Sequence, residues 1–212
     1  RPVRRGERVA VRHADRRSTL RAILHAFLRS VRPAVRRAEP VGSISAVAYG
    51  TRFGFIGLYI VRPEFRGRGF GYRIWQHGMR YLGERNIGLD GVVAQQANYA
   101  KSGFRLAYRN IRFQGTAPAQ PGAPREHNAP IRLTEVPRSL LDAYDRTLFP
   151  APRASFLDAW LAQPDAVALA SIAAGRLCGY GVLRTCRAGR KIGPLFADDA
   201  PTAQRLFDAL LA

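Results

Sequence analysis

One short segment in the first half of the chain combines the residue types that bind phosphate. It reads Phe65-Arg66-Gly67-Arg68-Gly69-Phe70-Gly71-Tyr72. Its three alternate glycines leave one side of the turn without Cβ atoms, so that backbone amides can converge on an anion. Its two arginines add positive charge and paired donors for phosphate oxygens. A helix is predicted to follow, and the first N–H groups of a helix also favour an anion. The pattern predicts a cradle for a pyrophosphate.

The glycine spacing in this segment excludes the two common nucleotide-binding motifs. A Rossmann fingerprint requires glycine where Tyr72 stands. A P-loop requires Gly-Lys followed by Ser or Thr, and this is also absent. Because Gly and Arg are abundant in this chain, a glycine-rich turn with exposed arginines remains the alternative interpretation.

Strands and helices with the right order surround the segment. Apolar patterns and turn residues predict a β-hairpin, then a helix, a strand, a short helix and a further strand. Their ranges are Val41–Tyr49, Phe53–Val61, Tyr72–Glu84, Ile87–Val93, Gln95–Ser102 and Phe104–Phe113. The order strand, loop, helix, strand implies a right-handed crossover and a parallel strand pair. Nearer the N-terminus, an amphipathic pattern predicts a helix from Leu20 to Val31, which Pro33 would end.

A Pro-rich stretch divides the chain. Residues 116–130 contain Pro118, Pro121, Pro124 and Pro130 among small residues, a composition typical of a linker. Beyond it the pattern predicts four strands and three helices. The strands are Ile131–Thr134, Val167–Ile172, Gly179–Arg184 and Lys191–Phe196, and the helices are Leu140–Leu148, Phe156–Leu161 and Pro201–Leu211.

The second half repeats part of the first. Gly42–Val47 followed by Ile56–Tyr59 corresponds to Gly179–Arg184 followed by Ile192–Phe196. The spacings agree within one residue, and each copy leads into a predicted helix. Ala197–Pro201 stands where the first copy has its glycine-rich segment, and the two acids there would repel a phosphate. We therefore predict two copies of one α/β unit, of which only the first binds an anion.

Two motifs in the first copy resemble a known family. Residues Gly57–Gly71 resemble the central strand and acyl-CoA loop of the GNAT N-acetyltransferase superfamily. Residues Ala97–Phe104 are similar to the family's closing Tyr-x-Lys-x-Gly-Phe motif. The resemblance runs from about Glu39 to the C-terminus. Within the superfamily, the chain most resembles bacterial two-domain GNAT proteins whose second domain is degenerate. It implies a mixed GNAT sheet flanked by helices over residues 39–115, then an incomplete GNAT-like copy over residues 131–212.

The resemblance also implies an activity and its residues. An amine would attack acetyl-CoA directly, with both substrates aligned in one site. Backbone groups of Ile60 and Val61 would bind the pantetheine arm and polarise the thioester carbonyl. Tyr99 would protonate the leaving thiolate, although it could instead be a packed tyrosine beside Phe104. The pyrophosphate would be held by six consecutive residues: Arg66, Gly67, Arg68, Gly69, Phe70 and Gly71.

Several residues near these motifs keep open interpretations. Tyr59 could face a substrate or fill the core. The carboxylate of Glu64 could reach an amine or lie on the surface. Asp90 interrupts an apolar strand, which favours a nearby Arg partner over a catalytic role. The central strand carries no carboxylate, so the general base is unassigned.

The two ends of the chain depart from the family pattern. Residues 1–38 are Arg-dense and lack the family's opening elements. A divergent N-terminus would explain the amphipathic pattern there, whereas an out-of-frame or mis-called start would explain the abrupt return of likeness near Glu39. We take the second as the working hypothesis. The second copy stops within its last predicted helix at Ala212, which predicts an unpaired sheet edge and poor stability.

Composition limits the partners and the compartment. The net charge is +19, and the last 97 residues contribute only +2 of it. A basic front half could attract nucleic acid, but no aromatic–basic pattern of a nucleic-acid module is present. No apolar run is long enough to span a bilayer. Cys178 and Cys186 are the only cysteines and are read as reduced thiols, which favours the cytoplasm.

Three classes of function therefore remain. The first is an acetyl-CoA-dependent N-acetyltransferase without a metal, which acts on a small-molecule amine or a peptide amine and for which a homodimer is an open alternative. The second is a catalytically silent CoA-binding module, which the missing base favours. The third, ranked last, is a basic nucleic-acid-binding protein.

Overall fold

A computed structural model describes residues 31–36, 39–116 and 129–212, with the backbone alone for the first range. Most of the helix predicted from Leu20 to Val31, and nearly all of the predicted linker over residues 116–130, lie outside these ranges. The chain forms two compact units, whose described residues fall within 31–114 and 115–212. Among the described residues, no helix has the length and apolar character needed to cross a bilayer.

The first unit is a four-stranded mixed sheet with two helices. Its strands are β1 (Val31–Arg36), β2 (Glu39–Tyr49), β3 (Phe53–Val61) and β4 (Asn86–Leu89), in that spatial order. The first three are antiparallel neighbours, whereas β3 and β4 are parallel. Helix α1 (Phe70–Leu82) makes the crossover, and α2 (Gln96–Lys101) follows β4. The predicted hairpin and the predicted parallel pair are both confirmed.

Helix α1 packs along one face of this sheet. Its buried residues Ile74, Trp75 and Leu82 form one core with Ile44 and Ile56 of the strands. This apolar stripe at helical spacing drives the packing, since each buried side chain of this size stabilises the fold by about 1.5–3 kcal/mol. The helix ends two residues before the predicted boundary because the next residue is a glycine with φ of 59°, the backbone form that ends helices.

Three expectations for the first unit are wrong in detail. The predicted strand Phe104–Phe113 has no regular structure, and its apolar side chains Leu106, Tyr108, Ile111 and Phe113 are 60–74% exposed. Alternating apolar residues make a strand only where a neighbouring strand accepts the backbone hydrogen bonds. The strand predicted to reach Val93 ends at Leu89. Pro33 lies within β1 instead of ending a helix. Strand β1 is an outer strand of the sheet, where a proline is tolerated.

The second unit is an antiparallel sheet with three helices. Its strands are β5 (Ile131–Arg132), β6 (Val167–Ala173), β7 (Arg176–Thr185) and β8 (Arg190–Ala197), in that order. Its helices are α3 (Arg138–Leu148), α4 (Ala154–Leu161) and α5 (Ala200–Leu211). The predicted elements are confirmed within three residues, except that the chain turns at Leu133–Glu135 and shortens the first strand.

The strand pairs β2–β3 and β7–β8 share a detailed geometry. In each pair the register shifts by one residue, which leaves an extra residue on the second strand at 58–59 and at 193–194. Gly42 and Gly179, which the sequence repeat aligns, also make the same close contact with the neighbouring strand. A Cβ atom at either position would lie 2.8 or 2.7 Å from a carbonyl oxygen of the neighbouring strand. The two units are therefore built on the same bulged hairpin.

A buried ion pair ties α3 to the rest of the second unit. Arg153 donates to both carboxylate oxygens of Asp145, at 2.8 and 2.6 Å, and the Tyr180 hydroxyl donates to the same carboxylate at 2.8 Å. The Asp145 carboxylate is only 2% exposed. Burial and this hydrogen bond raise the pKa of Tyr180, which keeps its hydroxyl a donor.

Removing one partner of this pair leaves an unpaired buried charge. We expect Arg153→Met to lower the free energy of unfolding of the second unit by about 3–5 kcal/mol. Arg138→Met is the matched control, because Arg138 pairs with Asp142 and Asp158 at the surface and its loss costs about 0–1 kcal/mol. Urea unfolding followed by Trp160 fluorescence in a Trp75→Phe background measures both. Equal losses of unfolding free energy in the two variants would contradict the prediction.

Candidate active site

The two parallel strands of the first unit separate partway along their length. Pairing runs from Phe53–Asn86 to Ile56–Leu89 and then stops. Strand β3 continues to Val61, so no strand among the described residues pairs with the edge of residues 57–61 that faces β4. Backbone N–H and C=O groups on an open edge can pair with an extended ligand. We call the space between residues 57–61 and residues 90–92 the cleft.

A bulge on β3 lies at the mouth of the cleft. Leu58 has φ of 48°, a left-handed conformation that is unusual for a residue with a branched side chain. The Ser43 hydroxyl donates to the Leu58 carbonyl at 3.3 Å and helps to hold this conformation. Tyr59 contacts Trp75 of α1, with ring centroids 5.4 Å apart, and therefore faces the helices. The neighbouring Leu58 and Ile60 are 53% and 40% exposed.

Beyond β3, residues 66–71 form the phosphate loop, in which the glycines have two different roles. Gly67 and Gly69 have φ of 74° and 79°, so the turn itself requires them. Gly71 instead permits a close approach, since a Cβ there would lie 2.7 Å from the Tyr59 hydroxyl and 3.2 Å from a methyl of Val61. The loop therefore brings the first turn of α1 against β3.

The start of α1 offers backbone donors without a competing side chain. Gly69 is the N-cap residue, and the first helical hydrogen bond runs from Arg73 N–H to the Gly69 carbonyl at 3.1 Å. Within the described residues, the N–H groups of residues 67–72 have no hydrogen-bond partner. Free N–H groups at a helix start, together with the helix dipole, favour an anion.

The arginines around the loop differ in their availability. Arg62 is held by Glu39 and Glu64, whose hydrogen bonds raise its pKa. Arg66 donates from Nε to the Val61 carbonyl at 3.0 Å, and the Arg68 guanidinium lies 5.5 Å from the centre of the Phe65 ring. No acidic side chain among the described residues pairs with Arg66 or Arg68. Their charges are therefore free for phosphate, whereas the carboxylate of Glu64 is not free for an amine.

Tyr99 lies on the helix side of the cleft within an aromatic cluster. Trp75 contacts Tyr99, Tyr59 and Phe104 at centroid distances of 5.8, 5.4 and 5.7 Å. The Tyr99 ring packs so closely on Gly91 that a Cβ there would come within 2.6 Å of it. Tyr99 thus packs in the cluster and also borders the cleft, and its acid role stays a prediction.

Both tyrosines of the cluster are hydrogen-bond donors at neutral pH. Burial raises the pKa of Tyr99, and a hydrogen bond from the Val92 N–H offsets part of that rise. Burial also raises the pKa of Tyr59, and the proximity of Tyr99 raises it further. Tyr59 is the residue that sequence reasoning left undecided. The available sequence signal was its spacing, because a residue two positions before Val61 lies on the same face of the strand as Val61.

The corresponding point of the second unit is already occupied by a carboxylate. Asp199 caps α5, and its carboxylate accepts a hydrogen bond from the Thr202 N–H at 2.6 Å. This hydrogen bond holds the pKa of Asp199 below its ordinary value. The helix start that is open in the first unit is thus filled by the chain's own anion in the second.

Comparison with known families agrees with this architecture. The family described as Acetyltransferase (GNAT) family matches residues 7–104, and the Acetyltransferase (GNAT) domain matches residues 141–212. The chain belongs to the GNAT acetyltransferase superfamily. The first GNAT match begins at residue 7, so it includes most of the Arg-rich segment. The match therefore begins well before Glu39, where the resemblance seen in the sequence starts.

Known relatives cover both units of this GNAT protein. The holothin acyltransferase of Pseudoalteromonas sp. (strain SANK 73390) is 30% identical over 176 residues, which are 82% of this chain and 58% of the relative. The chain thus spans less than two thirds of that relative's length.

Two solved structures share the fold. A putative acetyltransferase from Pyrococcus horikoshii superposes with a TM-score of 0.74 at 22% identity, over 91% of this chain and 64% of that protein. A GCN5-related N-acetyltransferase from Anabaena variabilis ATCC 29413 gives 0.51 at 17% identity, over 91% and 54%. At these identities the likeness concerns the fold.

The phosphate loop allows a test with an internal control. Gly69→Ala and Gly50→Ala both place a Cβ at a positive φ, 79° and 62°, with nothing within 4 Å of it. We expect each to lower the free energy of unfolding by about 1 kcal/mol or more. Only Gly69→Ala, at the helix start, should weaken the binding of coenzyme A, by roughly tenfold. Calorimetric titration measures the affinity, and equal affinities of the two variants would contradict the assignment.

Proposed function

We propose that this chain transfers an acetyl group from acetyl-CoA to an amine, by direct attack within a ternary complex. The observation that carries the proposal is the open edge of β3 beyond Ile56, which leads into a helix start with free N–H groups. An extended arm with a diphosphate at one end matches this combination. The GNAT membership supports the same conclusion.

The residues of the site fit the parts of acetyl-CoA. Backbone groups of Ile60 and Val61 would pair with the pantetheine arm, which would lie beside β3 as an added strand. The N–H groups of the phosphate loop, with the Arg66 and Arg68 guanidinium groups, would hold the pyrophosphate. We propose this role for all six loop residues predicted from the sequence, with Phe70 and the three glycines contributing through their backbone.

The chemistry that acetyl-CoA supplies is an acyl group on a good leaving thiolate. A backbone N–H near Ile60 would stabilise the negative charge that develops on the carbonyl oxygen. The hydroxyl of Tyr99 would give its proton to the leaving sulfur. The raised pKa of Tyr99 keeps that proton in place at neutral pH.

The acceptor is proposed as a small-molecule amine or a peptide amine with an apolar body. Leu58 and Ile60, both partly exposed, offer apolar contact beside the cleft. The name of the holothin acyltransferase refers to an acceptor of that relative. We place the activity in the cytoplasm, since both thiols of this chain are free.

A thiol-release assay tests the proposed function. The full chain and acetyl-CoA are incubated with aliphatic amines, aromatic amines, amino acids and a short peptide, and free coenzyme A is measured. We expect release that depends on at least one amine. Calorimetry with acetyl-CoA separates the alternatives, because a silent module binds without release. Absence of both binding and release would contradict the proposal.

The acid role of Tyr99 predicts a specific kinetic defect. Tyr99→Phe should lower kcat by roughly 10²-fold and leave acetyl-CoA affinity within about twofold, since only the proton donor is lost. Because the pKa of Tyr99 is raised above 10.0, its loss of a proton should not limit the wild-type rate below about pH 10. Tyr81→Phe, on the exposed side of α1, is the control. Equal rates for the two variants would rule out the acid role.

A further inference from the structure

The general base for this reaction is not among the residues assigned so far, and Asp90 occupies a suitable place. It is the first residue after β4, at the point where β3 and β4 separate. Its side chain is exposed. The expected Arg partner is absent from the described residues, where no cation pairs with this carboxylate. Its one hydrogen bond there comes from the Asn110 side-chain amide, at 3.3 Å.

The backbone alternation places Asp90 on the opposite side of the cleft from Tyr99. A Cβ on Gly88 would lie 3.2 Å from the Phe53 ring, on the face away from the helices. Leu89 packs into the core beneath α1. A Cβ on Gly91 would meet the Tyr99 ring, again on the helix side. Since successive residues of an extended chain point to opposite faces, Asp90 lies on the face away from the helices.

That face is also the accessible side of the β3 bulge. Tyr59 faces the helices, so Ile60, the next residue of the strand, faces the other way and is 40% exposed. An amine approaching from this side meets apolar contacts on β3 and one carboxylate beyond β4. The aromatic cluster of Tyr59, Trp75 and Tyr99 lies on the helix side of the cleft.

The other carboxylates of the first unit are less suited to the role. Glu39 and Glu64 are both paired with Arg62 at the far end of β3. Glu84 follows the end of α1 and precedes β4, at the opposite end of that strand from the cleft. Asp90 is therefore the carboxylate that the described structure places beside the cleft.

We propose that Asp90 is the general base that deprotonates the acceptor amine. This inference rests on the proposed acetyl transfer and extends it to a named proton acceptor. Asn110, from the segment after α2, positions the carboxylate through its amide. The phenols of Tyr59 and Tyr99 lie on the helix side of this region.

The proton balance is complete with these groups and water. The bound ammonium gives one proton to Asp90, which passes it to solvent. The neutral nitrogen then forms the C–N bond, and the C–S bond breaks. The sulfur takes the proton of Tyr99, and the second proton lost by the nitrogen restores the Tyr99 hydroxyl through water.

Replacement of Asp90 by its neutral isostere tests the role. With the best aliphatic amine of the panel, Asp90→Asn should lower kcat by roughly 10²-fold and leave acetyl-CoA affinity unchanged. With an aromatic amine, which is already neutral at pH 7, the kcat of Asp90→Asn should fall far less. Glu84→Gln is the matched control and should behave as wild type.

The outcomes separate this inference from the proposed function. Wild-type turnover with an equally fast Asp90→Asn variant would overturn the role of Asp90 alone. A variant that loses the aromatic and aliphatic reactions equally, or that loses acetyl-CoA binding, would show a structural role and also overturn it. A wild-type chain that binds acetyl-CoA without turnover would contradict the proposed function and the base role together.

Discussion

The separation of β3 from β4 is the constraint on which the site depends. A parallel pair that continued past Ile56 and Leu89 would satisfy its own backbone groups and leave nothing for a ligand. The bulge at Leu58 turns β3 at this point, and its left-handed backbone costs of order 1–3 kcal/mol. Pairing with β2 on the other edge, together with the Ser43 hydrogen bond, holds the strained residue in place. The phosphate loop, the aromatic cluster and Asp90 all lie around the space that this separation creates.

The two units show how one hairpin can be kept while its function changes. Both carry the same one-residue bulge, and both lead from the bulged strand into a helix. The difference is the residue at the helix start. Gly69 leaves the first N–H groups of α1 free, whereas the carboxylate of Asp199 accepts a hydrogen bond from the Thr202 N–H at the start of α5. A fixed negative charge at that point competes with any phosphate for the same donors. We therefore expect the second copy to bind an anion less well than the first, although both are built on the same hairpin.

The sequence was sufficient for those features that depend on local chemistry. Strand β3 was predicted with its observed bounds, Phe53–Val61, because turn residues and a Pro mark both ends. The phosphate loop was predicted from glycine spacing, since its turn needs positive φ at Gly67 and Gly69. The strand predicted over Phe104–Phe113 failed because a period-2 pattern does not tell whether a neighbouring strand exists. The close approach of Tyr59 to Gly71 and the side on which Asp90 lies could not be predicted, since both depend on where the bulge and the end of β4 place the chain.

The arrangement of acid and base on opposite sides of one sheet suits a reaction that moves protons in two directions. On the helix side, burial raises the pKa of Tyr59 and Tyr99 and keeps both phenols protonated. On the other side, an exposed carboxylate can pass an accepted proton directly to water. An amine that enters from the exposed side and a thiol that leaves on the buried side do not compete for the same group. The sheet itself keeps the two groups apart, so the strand separation at which we propose that the cofactor binds would also divide the proton transfers between the two faces of the sheet.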